Sequence, residues 1–234
     1  FAYEGDAYVV RGLDIEADPG ETIAVVGPTG AGKTTIINLL CRFYDPLHGA
    51  VEVDEYDLRR IAQGTYRSQI ALVMQDTRIF SGSVLENIRY GRPEATRDEA
   101  WAIAREMGIG EMIEAMPEGL DTEIGERGSS LSLGEKQLLA FARALIRDPR
   151  ILILDEASSY LDSSTEGLVQ EAMKRLSRDR TTFIIAHRLA TIRDADRIVV
   201  MDQGRVVETG THTELVRADG HYAELLRNQY AAAT

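Results

Sequence analysis

The nine residues GPTGAGKTT, Gly27 to Thr35, constrain this chain more than any other stretch. They follow the apolar run TIAVV (22–26) and open an amphipathic helical pattern. Glycines let the backbone turn its N–H groups inward around phosphate oxygens. A helix beginning near Gly32 adds the positive end of its dipole at the same spot. Lys33 then reaches toward β- and γ-phosphates, and the Thr34 hydroxyl suits a Mg²⁺ ion. Every fixed position of a P-loop is filled, in the strand-to-helix context that motif requires. A glycine-rich turn without a ligand is the plain alternative, and the completeness of the pattern weighs against it.

Around this loop, short apolar runs alternate with helical patterns, which is how a mainly parallel sheet with crossover helices reads. The expected strands are TIAVV (22–26), IALVM (70–74), ILILD (151–155), TTFII (181–185) and RIVVM (197–201). DQGRVVE reads as a tight turn at Gly204 into one more short strand. The alternating pieces VVRGLDIEAD and AVEVDEYDL predict an N-terminal antiparallel β subdomain. Between Asp76 and Arg150 the texture becomes helical, with MPEGLD (116–121) as a loop and Thr96 and Glu99 as a capping box. The expected fold class is therefore α/β: a P-loop NTPase core with a mainly parallel sheet. Residues 1–75 and 151–234 form that core with its β subdomain, and 76–150 an inserted helical subdomain. The tail is expected to form a helix packed by Tyr222, Leu225 and Leu226.

Composition removes several function classes. At 234 residues and 44% hydrophobic the chain can bury a full core. No run approaches the 18 or so uncharged apolar residues of a membrane-spanning helix. A net charge of −12 argues against a nucleic-acid surface, though one phosphate pocket needs only a few local cations. The single Cys41 has no disulfide partner within the chain and reads as a packing residue of the helix after the loop.

ILILDEA supplies the complement of the P-loop. Its apolar run delivers Asp155 to the C-terminal edge of a strand, where ligands of open α/β sheets bind. Asp155 suits a Mg²⁺-holding carboxylate, and Glu156 a general base that polarises an attacking water. Alone, such a pair is more often a charged helix start; beside a P-loop the catalytic reading prevails. His187 ends TTFIIAH in the same sheet, where an imidazole can hold a γ-phosphate or the lytic water. Gln75 ends IALVMQ and is similarly placed for Mg²⁺ or water. His48, His212 and His221 lack such a context and read as surface or structural.

The P-loop, Gln75, LSLGEKQ, ILILDE, SSYLD and His187, in this order and spacing, resemble the ATP-binding cassette domains. More narrowly, the chain resembles the nucleotide-binding domain of an ABC exporter, over essentially its whole length. TEIGERGSSLS (122–132) is similar to the loop that precedes the signature in exporters. QDTRIFSGSVLENI (75–88) is similar to the segment that meets the coupling helices of the membrane domains. The resemblance implies ATP and Mg²⁺ as cofactors, with Gly27, Pro28, Thr29, Gly30, Ala31, Gly32, Lys33, Thr34 and Thr35 around the nucleotide. It implies Thr34, Gln75 and Asp155 at the metal, and Glu156, His187, Gln75 and Lys33 in catalysis. Tyr3 matches the aromatic that stacks on adenine, with Tyr8 as its rival. A second nucleotide-binding domain is the implied partner, paired head to tail, with Ser132, Gly134 and Asp162 acting across the interface. The implied activity is ATP hydrolysis driving solute export, at the cytoplasmic face of a membrane and tethered through a membrane domain. The start FAYEGDAY, without Met, reads as a segment of something longer, with its first strand cut just before Phe1. Two other readings stay open: a regulatory half with little hydrolysis, and a soluble ABC ATPase.

One motif departs from the family pattern. Where LSGGQ is usual, residues 131–135 read LSLGE. Ser132 and Gly134 are retained, while Leu133 and Glu135 replace Gly and Gln. Ser132 with Glu135 makes a capping box for a packing helix with apolar residues at Leu138, Ala142, Leu145 and Ile146. Leu133 would be strained wherever a positive φ is needed, and Glu135 brings negative charge near a phosphate. Tyr160, where a small residue is usual, is a second departure. A homodimer that tolerates the changes and a heterodimer with a chain bearing the usual signature both accommodate this pattern.

Overall fold

The computed structural model describes residues 1–5, 7–125, 128–155, 163–186 and 188–230. Glu156, Tyr160, Asp162 and His187 lie outside them. In chain order come β1 (Thr22–Val26), α1 (Lys33–Leu40), the hairpin β2 (Glu52–Val53) and β3 (Tyr56–Asp57), α2 (Gln63–Ser68) and β4 (Ile70–Val73). Then follow β5 (Gly82–Ser83), α3 (Val84–Arg89), α4 (Arg97–Glu106), α5 (Gly110–Glu114), β6 (Glu123–Ile124) and α6 (Leu133–Leu145). The last third holds β7 (Ile151–Asp155), α7 (Ser163–Ser177), β8 (Thr181–Ile185), α8 (Leu189–Asp194), β9 (Arg197–Asp202), β10 (Arg205–Gly210), α9 (His212–Ala218) and α10 (His221–Tyr230).

Six strands form the main sheet in the order β10-β9-β1-β8-β7-β4. Every neighbouring pair is parallel except β9–β10, which the tight turn at Gln203 and Gly204 makes antiparallel. Strands covered on both faces should be apolar almost throughout, and β1, β7, β8 and β9 are. The side-chain period of two then sorts them. Ile23, Val25, Ile153 and Ile185 join Ile36 and Ile37 of α1 in one cluster. Ala24, Val26, Leu152, Leu154 and Ile184 turn to the other face, against Leu138, Leu139 and Phe141 of α6 and Leu176 of α7. The helices between Val84 and Leu145 share this second cluster, so they are packed on the sheet through one continuous apolar layer.

The five expected core strands are all present. The antiparallel portion at the N-terminus is smaller than the alternation predicted. AVEVDEYDL yields only the two-residue strands of the β2–β3 hairpin, and VVRGLDIEAD joins no described strand. Its half-buried residues Leu13, Ile15 and Ala17 pack against the α1-side cluster instead. Alternation reports which side is buried, and a ladder needs in addition a neighbouring strand to pair with. The short β5–β6 pair inside the helical stretch was not legible, because two residues carry no period.

Cys41 caps the C-terminus of α1, with 1% of its surface exposed. Burial pushes its thiol up to about 11. An acid whose folded pKa is raised contributes stability below its ordinary value, near 8.5, and loses it as pH climbs toward 11. At pH 8 the native chain should therefore resist a disulfide reagent that labels the guanidinium-unfolded chain fully, and following one thiol per chain with Ellman's reagent checks this.

Candidate nucleotide site

The loop between β1 and α1 is fixed by two glycines that nothing else could replace. Gly27 leaves β1 at φ 152°, and a Cβ there would lie 2.2 Å from the carbonyl oxygen of Met201 in β9. Gly32 caps α1 at φ 99°, with a Cβ position 2.7 Å from Val10. The loop closes on itself through Ala31 N–H to the Pro28 carbonyl at 3.2 Å. It is also tied to its surroundings: Gly204 N–H donates to the Ala31 carbonyl at 3.1 Å, and Arg11 N–H to the Gly204 carbonyl at 2.8 Å. The turn between β9 and β10 thus braces the loop from below and the N-terminal segment clasps the turn.

Lys33 is only 9% exposed, and its ammonium donates to the carbonyls of Gly27 at 2.7 Å and Pro28 at 2.9 Å. Burial lowers its pKa, while the Asp155 carboxylate acts in the opposite direction. A lysine held this way is a desolvated cation at the mouth of a backbone cradle, which is what phosphate recognition uses. Thr34 beside it is exposed, and Thr35 is buried behind it.

Sheet topology brings the other residues toward this loop. Val25 of β1 pairs with Ile185 of β8, and Ile185 with Asp155 of β7. Val73 of β4 pairs with Leu154 of the same β7. At about 4.8 Å per strand, Asp155 stands about 10 Å across the sheet from β1, at the same C-terminal edge. Gln75 leaves that edge two residues beyond β4 and is exposed. Of the remaining expected catalytic residues, Glu156 follows Asp155 directly and His187 lies two residues beyond β8, both outside the described residues.

The aromatic pair resolves into two environments. Tyr3 accepts a hydrogen bond from Asn38 Nδ2 at 2.7 Å and donates to Thr35 Oγ1 at 3.2 Å, and its ring meets Phe1 and Tyr44 edge to face. It is joined to the helix that follows the loop. Tyr8 instead stacks on His48, with Arg11 over its ring. Asn38, which holds Tyr3, was missed in the sequence; its place one turn after Thr34 on α1 was the signal available. Among the histidines set aside, His212 Nδ1 is 2.7 Å from the Tyr222 hydroxyl, a packing contact near the tail.

LSLGE lies elsewhere. Ser132 caps α6, which packs on the opposite face of the sheet from α1. The capping box is complete: Ser132 N–H donates to Glu135 Oε2 at 2.7 Å, and Glu135 N–H to Ser132 Oγ at 3.3 Å. Leu133 is the first helical residue, has a negative φ, and is 45% exposed. The backbone strain expected from Leu at this position therefore does not arise. Glu135 turns its carboxylate back into the cap, and Gly134 is buried.

With this geometry in view, the comparisons are specific. Residues 10–159 match the protein family described as ABC transporter. The chain is 49% identical, over 97% of its length, to a fatty acid ABC transporter ATP-binding/permease protein of Mycobacterium bovis. It is 51% identical, again over 97%, to an ATP-dependent lipid A-core flippase of Alkalilimnicola ehrlichii. It covers 36% and 39% of those two proteins, so it spans less than two fifths of either. The solved structure of a bacterial Atm1-family ABC exporter with ATP bound superposes with a TM-score of 0.91 at 45% identity, over 98% of this chain and 40% of that one. The P-loop at the sheet edge, the carboxylate in register beside it and these likenesses converge: the chain belongs to the ABC transporter family, as an ATP-binding domain.

Proposed function

We propose that this chain is the ATP-hydrolysing motor domain of an exporter, working as a head-to-tail pair on the cytoplasmic face of a membrane. The observation that carries this reading is the register across β1, β8, β7 and β4, which directs the P-loop, Asp155 and Gln75 to one edge of the sheet. Among the described residues no helix is long and apolar enough to cross a membrane, so the transported solute would be met by another part of a longer protein. Relatives named for fatty acid and lipid A-core transport make an amphiphilic solute the natural class to test.

In this reading the adenine stacks on Tyr3, the loop amides and Lys33 hold the phosphates, and Glu156 orients the attacking water while His187 holds the γ-phosphate. Thr34, Asp155 and Gln75 are hard oxygen donors, and their chemistry fits Mg²⁺. When bound, Mg²⁺ would neutralise charge that develops between the β- and γ-phosphates. Ser132 and Gly134 would face the partner's ATP, with Asp162 near the same interface. Residues 76–150 would act as a helical subdomain carrying that signature, with 75–88 turned toward the coupling helices of membrane domains.

Phosphate release from Mg²⁺-ATP tests the enzymatic part. Turnover that disappears with EDTA and in Glu156→Gln, with ATP still bound, is expected; turnover indifferent to Glu156→Gln would remove the general base from the mechanism. The cap geometry adds a second expectation. Because Glu135 is already turned into the cap and Leu133 is unstrained, restoring the usual signature with Leu133→Gly and Glu135→Gln should change the rate by no more than about twofold, a few tenths of a kcal/mol. A rise of tenfold or more would show that LSLGE is a weakened signature.

A further inference from the structure

Three turns along α6 from Ser132, Arg143 reaches out of the helix into the segment 78–91. Its Nε donates to the Asn87 carbonyl at 3.1 Å, one Nη to the Arg78 carbonyl at 2.9 Å and the other to Asn87 Oδ1 at 2.9 Å. The guanidinium lies 4.8 Å from the centre of the Phe80 ring and 5.6 Å from that of Tyr90, and the two rings stack on each other 4.2 Å apart. Asn87 is itself 1% exposed and is oriented by Phe80 N–H, the Phe80 carbonyl and the Ser83 carbonyl. Backbone contact reinforces the side chain: a Cβ on Gly91 would stand 2.1 Å from the Arg143 carbonyl oxygen.

Among the described residues no carboxylate pairs with Arg143. Its charge is held by three neutral acceptors and two π faces, an arrangement only a planar fork can satisfy. Apolar packing would have joined α6 to this segment without a desolvated guanidinium. A fork that bonds at both residue 78 and residue 87 fixes the segment in orientation as well as distance. On the outer side of this clamp Tyr90 is 61% exposed.

We propose that Arg143 is a positioning residue that makes α6 and the segment 78–91 move as one body, so that nucleotide-dependent displacement of Ser132 is delivered to the aromatic face of Phe80 and Tyr90. This rests on the motor-domain reading above, in which Ser132 meets the partner's ATP. Arg143 touches neither nucleotide nor reacting atoms.

The test uses the 234-residue chain with Glu156→Gln to hold ATP and Ser81→Cys, at an exposed position, carrying a polarity-sensitive dye; buried Cys41 stays in place. Light scattering follows ATP-driven pairing while the dye follows the segment. With Arg143 present, dye signal and pairing should titrate together. Arg143→Lys should keep the pairing midpoint within about twofold and lose at least about fivefold of the dye amplitude, the range by which residues along a coupling network act. A merely structural Arg143 would lower the melting temperature and leave the ATP-dependent amplitude intact, which would overturn the proposal. Should Arg143→Lys fail to fold, Tyr90→Leu, at an exposed ring, removes one face of the clamp and should lower the amplitude; an unchanged amplitude there overturns it as well. If the parent chain does not pair with ATP, the identical-pair form of the motor-domain reading fails and takes the proposal with it, an outcome distinct from pairing with an unaltered dye signal.

Discussion

Lys33→Met should lower ATP hydrolysis by about a hundred- to a thousandfold, the scale on which a preorganised charge at a phosphoryl transition state contributes. The ammonium sits 2.7 Å from the Gly27 carbonyl, at the neck of the loop, and methionine keeps the length of the side chain without the charge. Stability should move little. Methionine removes the cost of burying a cation and leaves the Gly27 and Pro28 carbonyls without that donor, two effects of opposite sign and of about 1–3 kcal/mol each. The measurement pairs phosphate release with a melting curve. A large fall in hydrolysis with an unchanged midpoint is the expected outcome, whereas parallel losses would make Lys33 a structural residue.

Gly27→Ala should be strongly destabilising. At φ 152° an alanine is strained, which costs about 1–3 kcal/mol. Its methyl would also lie 2.2 Å from the Met201 carbonyl oxygen, and overpacking of that kind costs about 1–3 kcal/mol more. Met201 is an interior residue of β9, whose neighbour Val200 pairs with Val26, so the backbone cannot retreat without opening the β1–β9 ladder. A sum of about 4 kcal/mol lowers the melting temperature of a domain this size by about 8–16 °C. Gly30→Ala is the internal contrast. Its φ is also positive, but a Cβ meets nothing within 4 Å, so only the backbone strain remains and the shift should be roughly half.

Much of this molecule was legible in the sequence because its central strands carry near-continuous apolar runs and its chemistry sits at their ends. TIAVV, ILILD and TTFII became strands with the same boundaries. Both expected capping boxes formed, at Thr96 with Glu99 and at Ser132 with Glu135, since each depends on residues only three apart. What stayed hidden depends on partners distant in sequence. The order β1-β8-β7-β4, which aligns Asp155 with the P-loop, is a property of the folded sheet that no local pattern encodes. Asn38 under Tyr3 and Arg143 against Asn87 are ordinary polar residues on helices until the contact is seen. The overestimate at VVRGLDIEAD has the same origin: alternation registers burial, while a ladder requires a neighbour.

The most direct measurement is the ATPase rate against concentration of the chain, with Glu156→Gln as the control. Two identical copies that complete each other's sites predict a rate rising with the square of concentration at low occupancy of the pair, and abolished by the control. A rate that stays proportional to concentration where light scattering shows only single copies would contradict pairing. No turnover at any concentration, with ATP still bound, would contradict a competent LSLGE in a homodimer of this chain alone and favour a different partner bearing the usual signature, or dependence on the membrane domains.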